Sequence, residues 1–421
     1  MPSYSIPYGK TNLNFEIPAD RPVEIIAPPL VPGAPDPAAL VAAALDEPLG
    51  GRRLADFGPL TSAAVAINDK TRPVPHALLL PPLLARLEAA GLRPEQITLY
   101  IAAGTHPPMP PEEFGMVVPP EILARYPVVC HDAADTANLV NLGQTPRGTP
   151  VWVNRGYAAA DLRLVVGNIE PHQFQGFSGG VKSAAVGLAG EATINANHTM
   201  MMDPASALGE YEDNPARQDV EQIGERIGIH FALNAILNHK KEIVHVVAGA
   251  PRLVMQAGIP LSRQVCQVSV AAPYRLVIAS PGGHPKDINL YQAQKGLAHA
   301  RLVTQPGGTV ILAAACPEGT GSQHYEDWMK DKTSLDQVFE SFRREGYRIG
   351  PHKAFQLARD AAQVQVHFLS EMDPAFVRSL LLDPIADLQQ ALDACLAGLP
   401  PGEPVGVLPR AAATIPYIQK G

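Results

Sequence analysis

The segment from Gly167 to His198 holds the residue types most suited to chemistry in this chain. It reads GNIEPHQFQGFSGGVKSAAVGLAGEATINANH and sets His172, Lys182 and His198 among glycine, alanine and serine residues. Such small residues allow the backbone to approach a ligand closely. The composition of the segment therefore predicts a ligand-binding site rather than a stretch of ordinary core.

The GFSGGVKS motif within this segment is similar to a phosphate-binding loop but does not match one. The residue before Lys182 is Val181, whereas the P-loop has glycine there, so an ordinary nucleoside triphosphatase is disfavoured. Gly179 and Gly180 are predicted to expose backbone amides at a helix start, where an anion is favoured, with Lys182 in the first turn. The alternative for Lys182 is a solvated surface lysine.

Two histidines follow the ends of predicted strands. His106 comes after the apolar run 97–102 in AAGTHPP, and His172 comes after the run 162–166 in GNIEPH. An imidazole titrates near neutral pH, so two rings on two strand ends can exchange protons with one substrate from opposite sides. Taken singly, each histidine is equally compatible with a hydrogen-bonded loop residue.

His198, in NANHTMM, is a candidate metal ligand that lacks companions. The sequence has no HExxH or HxH motif and no cysteine that would complete a tetrahedral site around it. A metal bound here would need most of its ligands from something other than protein side chains. The alternative is a helix-cap or core histidine.

Three further residues are suited to holding a carboxylate. Arg72 lies in NDKTR, and its guanidinium can bind a carboxylate with two hydrogen bonds. Gln292 and Lys295 are three positions apart in a predicted helix, so they share a helix face. The alternative for each of the three is a solvated surface residue.

Four short apolar runs end in polar clusters, which places these residues in a common fold. The runs are 64–67, 97–102, 162–166 and 276–279, and the clusters after them are NDKTR, GTH, GNIEPH and SPGGH. Apolar runs that alternate with helical stretches such as 79–90 are typical of buried parallel strands with helices on both faces. Ligands of such sheets bind beyond the carboxyl ends of the strands, where all four clusters fall.

The sequence therefore predicts an α/β protein of two domains, each with a largely parallel sheet flanked by helices, with the active site in the cleft between the domains. A length of 421 residues supports two hydrophobic cores. Residues 1–270 form the predicted N-terminal domain, which ends in a hairpin (FALNAIL, NHKKE, IVHVV) and a crossing helix. Residues 271–400 form the predicted C-terminal domain, and residues 401–421 a segment that packs back on the first domain.

The composition disfavours several classes of partner. A net charge of −8 without a run of Lys and Arg argues against nucleic acid and anionic membranes. No signal-peptide pattern and no run of about 18 apolar residues is present, which predicts a cytoplasmic protein. The four cysteines form no CxxC pair and are expected to be reduced thiols. A small-molecule ligand is the expected partner.

Taken together and in this order, the motifs resemble the nickel-dependent lactate racemase family, which racemises or epimerises 2-hydroxy acids. The matching motifs run through nearly the whole chain: NDKTRP, AAGTHPP, GNIEPHQFQGFSGGVKS, NANHTMM, SPGGHPKDINLYQAQK, ACPEGTGS, GPHKA and TIPYI. Family members carry a nickel-pincer nucleotide, nickel pyridinium-3,5-bisthiocarboxylic acid mononucleotide. The resemblance implies an isomerase that depends on this cofactor and on the maturation enzymes that make it.

The resemblance assigns roles to four residues. It implies that His106 and His172 are the two acid–base residues. It also implies that Lys182 tethers the cofactor through a thioamide bond and that His198 is the protein's ligand to nickel. Carbon and sulfur atoms of the cofactor would then supply the other nickel ligands, which accounts for the isolation of His198. Whether the thioamide bond to Lys182 is present stays open.

The same resemblance implies a clamp for the substrate carboxylate. Arg72 and Lys295 would contact the carboxylate, with Gln292 beside them. Asp69 and Thr71, from the NDKTR motif, would lie near the cofactor.

The implied reaction is racemisation of lactate, or of a broader set of short-chain or aromatic 2-hydroxy acids, by reversible hydride transfer through a 2-oxo acid. Phe174 and Phe355 are candidates for an apolar wall beside the substrate, with core packing as the alternative. Malate or a sugar acid is the alternative substrate. A nicotinamide-dependent dehydrogenase is less favoured because no GxGxxG motif follows a strand, and a carrier without turnover would not need paired histidines. The oligomeric state stays open.

Overall fold

The computed structural model describes residues 1–419, which form two compact units. The first, here called the central unit, is Leu30–Val265. The second, the terminal unit, combines Met1–Pro29 with the chain from Cys266 onward. No helix within residues 1–419 is long and apolar enough to cross a bilayer.

Twenty strands and fourteen α-helices are present in the described residues. The strands are β1 (Ser3–Tyr8), β2 (Thr11–Glu16), β3 (Val23–Ile25), β4 (Ala63–Asn68), β5 (Ile97–Ala102), β6 (Val128–Cys130), β7 (Leu139–Gln144), β8 (Pro150–Asn154), β9 (Leu162–Asn168), β10 (Pro171–His172), β11 (Gly176–Phe177), β12 (Phe231–Leu237), β13 (Ile243–Gly249), β14 (Gln267–Val270), β15 (Tyr274–Ala279), β16 (Thr304–Ala313), β17 (Gln365–Leu369), β18 (Asp383–Ile385), β19 (Val405–Leu408) and β20 (Ile415–Ile418). The helices are α1 (Pro37–Asp46), α2 (His76–Ala89), α3 (Pro120–Leu123), α4 (Arg155–Ala159), α5 (Lys182–Ala185), α6 (Glu191–Thr199), α7 (Pro215–Ile227), α8 (Pro251–Cys266), α9 (Leu290–Arg301), α10 (Gln323–Met329), α11 (Leu335–Glu345), α12 (Pro351–Ala361), α13 (Pro374–Ser379) and α14 (Leu388–Ala397).

The central unit is built on a six-stranded sheet in the order β13-β12-β9-β4-β5-β6. Neighbouring strands are parallel except for β12 and β13, which form the predicted antiparallel hairpin. The middle strand β4 is buried along its whole length. Its residues alternate between the two faces: Val65 and Ile67 pack with α1 and α2, whereas Ala64 and Ala66 pack with α5, α7 and α8. Helices thus cover both faces of this largely parallel sheet, as the apolar runs predicted.

The terminal unit contains a second six-stranded sheet, fully parallel, in the order β18-β17-β16-β15-β19-β3. In β15, Leu276 and Ile278 face one apolar cluster and Val277 and Ala279 face the other. The α/β class with helix-flanked parallel sheets is thus confirmed. All four cysteines are free thiols.

The unit boundaries differ from the predicted domains at both ends of the chain. The N-terminal 29 residues were predicted to belong to the first domain, yet β3 pairs with β19 and completes the sheet of the terminal unit. Residues 401–421 were predicted to pack back on the first domain. Within that segment β19 is instead an interior strand of the terminal sheet, and β20 pairs with β14. These strand pairings join segments that are remote in sequence, so a local sequence pattern cannot predict them.

Candidate active site

Several of the predicted residues lie at the carboxyl ends of three neighbouring strands of the central sheet. Strands β9, β4 and β5 are adjacent and parallel, so their carboxyl ends lie side by side. Asp69 follows β4, and His106 follows β5 after a short turn. His172 ends the short strand β10, which begins three residues after β9. This arrangement brings together the polar clusters that the strand-end argument predicted for this unit.

His106 is held by a carboxylate. Its Nδ1 lies 2.8 Å from Asp69 Oδ2, and the Thr71 hydroxyl donates to the other carboxylate oxygen at 2.8 Å. Because a carboxylate is only an acceptor, His106 carries its proton at Nδ1, and Nε2 is left to exchange a proton with a ligand. The His106 side chain is 44% exposed and that of Asp69 only 4%, so the imidazole faces outward and the carboxylate lies beneath it.

The Asp69 carboxylate stays ionised in this position. Burial would raise the pKa of Asp69, but the hydrogen bonds from His106 and Thr71 and the positive charge of Arg72 together lower it below its ordinary value. Asp69 can therefore balance the positive charge that His106 gains on taking a proton. The resemblance implies that Asp69 and Thr71 lie near the cofactor, which stays a prediction; in the structure both contact His106.

His172 is positioned by a tight hairpin between β10 and β11. It pairs with Gly176, and the backbone N–H of Gln175 donates to His172 Nδ1 at 3.3 Å. Gly176 has a φ of +66°, and a Cβ there would lie 1.6 Å from the Glu210 carbonyl oxygen. Glycine is therefore required at this position for the hairpin that presents His172.

Phe174 lies between the two histidines of the segment. Its ring makes edge-on contacts with His172, at a centroid distance of 4.9 Å, and with His198, at 5.0 Å. The Phe174 side chain is buried, so both imidazoles rest on one fixed apolar surface. Phe355, the other predicted wall residue, lies in α12 and stacks on Phe342 at 4.7 Å within the terminal unit. The contacts of Phe355 thus favour core packing.

His198 lies near the end of α6 and is held through its Nδ1 atom. This nitrogen lies 3.2 Å from Asn197 Oδ1, which also accepts from the Gln175 amide at 2.7 Å. Donation from Nδ1 leaves Nε2 as the ring nitrogen able to bind a metal. No group of three or more His, Cys, Asp or Glu side chains within residues 1–419 is arranged to hold a metal ion. A metal at His198 would therefore need most of its ligands from something other than these side chains.

Lys182 is buried at the first residue of α5, beside the ends of β4 and β9. The neighbouring Ser183 hydroxyl donates to Asn68 Oδ1, in the last residue of β4, at 3.4 Å. Burial, together with the positive charges of Arg72 and Arg217, lowers the pKa of Lys182 well below its ordinary value. The lowered pKa favours the uncharged amine, which is the nucleophilic form of lysine, and the burial of Lys182 excludes the alternative of a solvated surface lysine.

Of the two glycines predicted to face an anion, Gly180 has its backbone amide occupied, whereas the role of Gly179 stays a prediction. The Gly180 N–H donates to Asn234 Oδ1 at 2.7 Å, so this amide is not available to an anion. The helix that follows, α5, is a single turn. Gly179 and Gly180 have φ values of +90° and +57°, and a Cβ on Gly179 would lie 2.7 Å from Ile169 Cγ1. These glycines are needed to fold the loop tightly and to turn Lys182 inward.

The predicted carboxylate residues are divided between the two units. Arg72, in the central unit, is half-buried, and its charge acts on both Asp69 and Lys182. In the terminal unit, Lys295 donates to the Gln292 side chain at 2.8 Å, as expected for neighbours on one helix face. The participation of Lys295 and Gln292 in the same site as Arg72 stays a prediction.

The central unit has unfilled polar positions that fit the nickel-pincer nucleotide. Ser178 Oγ and Gln175 Oε1 are buried and lack a hydrogen-bond partner within the described part of the chain. Buried polar atoms are normally hydrogen-bonded, so such atoms suit the polar groups of a ligand. With Lys182 as an amine nucleophile and the His198 imidazole as a donor that suits nickel, the residues fit this cofactor.

Sequence reasoning missed the residues that support this site. Asn197 directly precedes His198 and Gln175 follows His172 by three residues, and this closeness in sequence was the available signal. Arg217, Asp219 and Glu221 belong to α7 and to no recognised motif, and charged residues in a helix are usually solvated. In the structure all three are buried.

Two family models and two known proteins are similar to this chain. Residues 8–209 match the family model of the lactate racemase N-terminal domain, and residues 270–415 match that of the lactate racemase C-terminal domain. A lactate racemase from Thermoanaerobacterium thermosaccharolyticum is 30% identical over 401 residues, covering 93% of this chain and 94% of the relative. A lactate racemase from Lactiplantibacillus plantarum is 30% identical over 375 residues, covering 87% of each chain.

Solved structures show the same similarity. The lactate racemase apoprotein from T. thermosaccharolyticum matches with a TM-score of 0.89 and 28% identity, covering all of both chains. A Thermotoga maritima protein from a structural genomics project matches with a TM-score of 0.65 and 19% identity, covering 92% of this chain and all of that one. At that identity the second match shows the fold alone.

Proposed function

This chain belongs to the lactate racemase family of isomerases, and we propose that it interconverts the enantiomers of lactate or of another short 2-hydroxy acid with a nickel-pincer nucleotide. One observation carries the proposal. At adjoining strand ends the central unit holds a histidine paired with a buried carboxylate, His106 with Asp69, and a buried lysine, Lys182. The first is suited to moving a proton and the second to holding a cofactor.

When bound, the cofactor would supply reversible hydride chemistry at the substrate's α-carbon. The protein residues must then handle the hydroxyl proton. His106 exchanges this proton at Nε2, because Nδ1 is held by Asp69. His172 does so for the opposite enantiomer, so each direction of the reaction uses one histidine as base and the other as acid.

The substrate carboxylate is the fixed point about which the two faces are exchanged. Arg72 would hold it through its guanidinium, with Lys295 and Gln292 of the terminal unit as the further proposed contacts. A fixed carboxylate keeps the 2-oxo acid in place long enough for its carbonyl to turn. The free energy of binding is thus used to orient the substrate between the two histidines.

Lys182 and His198 are the proposed points at which the protein holds the cofactor. The Lys182 amine would condense with a thiocarboxylic acid of the cofactor to give a thioamide, with loss of one water. Its position in the protein interior supports this role, because burial lowers the pKa of the amine and so favours its uncharged, nucleophilic form. His198 would bind nickel through Nε2, since Nδ1 faces Asn197.

A panel of enantiopure 2-hydroxy acids tests the proposal. The protein is coexpressed with the cofactor-making enzymes, incubated with each acid and analysed by chiral chromatography. The proposal predicts conversion of either lactate enantiomer to a mixture of both, with no added NAD, and about one nickel per chain. Activity in a preparation free of nickel would refute the cofactor assignment, and dependence on added NAD would indicate a dehydrogenase.

A further inference from the structure

Helix α7 buries three charged side chains that the reaction does not use. Arg217 and Asp219 are 0% exposed and Glu221 is 4% exposed. Burying a charge costs several kcal/mol unless the charge is paired or hydrogen-bonded. Both ends of the helix are fixed by its sequence. The Asn214 side chain caps its start, with Pro215 in the first turn, and it ends at Gly228 with a φ of +72°. The contacts of its charged residues therefore indicate what the burial achieves.

Arg217 is directed at the loop that precedes Lys182. Its guanidinium donates to the carbonyl oxygens of Phe177 at 2.8 Å and Gly179 at 3.1 Å. It also donates to Glu221 Oε1 at 2.5 Å, and the Tyr211 hydroxyl donates to the same oxygen at 2.9 Å. Arg217 is thus itself fixed on one side while it fixes the loop on the other.

This loop depends on an external donor. Gly179 and Gly180 have positive φ values, so their backbone follows neither helix nor strand. Buried carbonyl groups in such a loop need hydrogen-bond donors from elsewhere. Arg217 supplies two of them just ahead of Lys182, and its positive charge also disfavours the charged form of the Lys182 amine.

Asp219 is directed at the helix that carries His198. Its carboxylate accepts from the Thr145 hydroxyl at 2.6 Å, from the Thr149 hydroxyl at 2.9 Å and from the Asn197 amide at 2.9 Å. Asn197 also donates to the Ala216 carbonyl at 2.8 Å. Because the Asn197 amide nitrogen donates both of these hydrogen bonds, the amide oxygen faces His198 Nδ1.

We propose that α7 positions both points at which the protein holds the cofactor. Arg217 fixes the loop that orients Lys182, and Asp219 fixes the Asn197 amide that orients His198. Both are positioning residues, since neither touches the cofactor or the substrate. The inference rests on the proposed function, because it takes Lys182 and His198 as the cofactor's attachment points.

The two arms of this inference have different readouts, neither of which is activity. Arg217→Lys keeps the positive charge but cannot reach both carbonyls, so the fraction of chains with a covalent adduct on Lys182 is expected to fall at least tenfold by intact mass. Asp219→Asn leaves the adduct in place but weakens the hold on His198. Nickel is then expected to leave at least tenfold faster in a chelator, in line with the 10- to 100-fold effects of groups that support metal ligands.

Matched variants separate positioning from general destabilisation. Glu225→Gln changes one charge on an exposed residue of α7 and is expected to keep the wild-type adduct and nickel retention. Thr149→Val removes one donor to Asp219, so a smaller acceleration of nickel loss is expected even if Asp219→Asn does not fold. Circular dichroism monitors the fold of each variant.

Four outcomes would overturn either this inference or the proposed function beneath it. Wild-type adduct in Arg217→Lys overturns the first arm, as does failure of that variant to fold. Wild-type nickel retention in both Asp219→Asn and Thr149→Val overturns the second arm. Absence of adduct and nickel from the wild-type protein itself would refute the proposed cofactor chemistry instead, so the two failures are distinguishable.

Discussion

The pairing of Asp69 with His106 makes the most quantitative prediction about the reaction. Replacing Asp69 by Asn keeps the size of the side chain but removes its charge. The hydrogen bond that is lost joins Asp69 Oδ2 and His106 Nδ1 at 2.8 Å, and the carboxylate is almost fully shielded from solvent. A hydrogen bond to a charged group contributes about 1.5–3 kcal/mol.

If this hydrogen bond is needed in the transition state, its loss slows the reaction by a calculable factor. At about 1.36 kcal/mol per tenfold change in rate, the range corresponds to a loss of about 10- to 150-fold in kcat. The poor solvent screening places the expected value in the upper half of this range. An Asn amide that donates to Nδ1 would also hold His106 in the wrong tautomer, which can enlarge the loss to about 10⁴-fold.

The assay is the initial rate of lactate interconversion in both directions, with nickel content measured on the same preparations. Thr71→Val is the matched control, because it removes the second hydrogen bond to Asp69 but keeps the carboxylate. Its expected loss is less than tenfold. Nickel content should be unchanged in both variants, whereas a cofactor-binding role for Asp69 would lower it.

A double mutant cycle tests whether Asp69 acts through His106. In the His106→Ala background, Asp69→Asn should cause little further loss, because its effect acts through the imidazole. Full activity of Asp69→Asn alone would show that the hydrogen bond between Asp69 and His106 is not needed in the transition state. An equal loss in the presence and absence of His106 would show that Asp69 acts elsewhere.

Three further predictions concern the other site residues and acid stability. His106→Ala and His172→Ala should each abolish interconversion in both directions, since each direction uses both rings, and unchanged rates in either would contradict the pairing. Lys182→Ala should lack the covalent adduct by intact mass, whereas an adduct of wild-type mass would place the attachment elsewhere. Burial lowers the pKa of His76 to about 4 from an ordinary 6.5, so the unfolded chain takes up a proton over this interval and the folded chain does not. The stability that the neutral His76 contributes is therefore fully present above pH 6.5 and falls by about 3 kcal/mol as the pH drops toward 4. His76→Gln should flatten the pH dependence of the free energy of unfolding, measured by urea titration. An unchanged slope in this variant would show that His76 is not the cause.

The strands and the positions of the two strand-end histidines could be predicted because their signals are local. An apolar run such as Ala63–Asn68 is readable by itself, and a parallel sheet has its ligand edge at the carboxyl ends of its strands. His106 and His172 follow directly from this rule. The hairpin of β12 and β13 was equally visible, since its two strands adjoin in sequence.

The remainder depended on contacts between distant segments. The pairing of β3 with β19 moves the N-terminal residues into the terminal unit, and no composition shift marks it. The Gly180 amide was predicted to face an anion, yet Asn234 from a different strand accepts its hydrogen bond. Arg217 was passed over because a charged helix residue is normally solvated, and only its burial reveals its partners.

The central claim is that the substrate's α-hydrogen moves as hydride between the substrate and the cofactor while histidines handle only the hydroxyl proton. Enantiopure lactate labelled with deuterium on the α-carbon, incubated with the nickel-loaded protein in ordinary water, tests this directly by chiral separation followed by mass spectrometry. Hydride transfer predicts that both enantiomers of the product mixture retain the deuterium. Racemisation with loss of deuterium to water would show proton abstraction by a base and would contradict it.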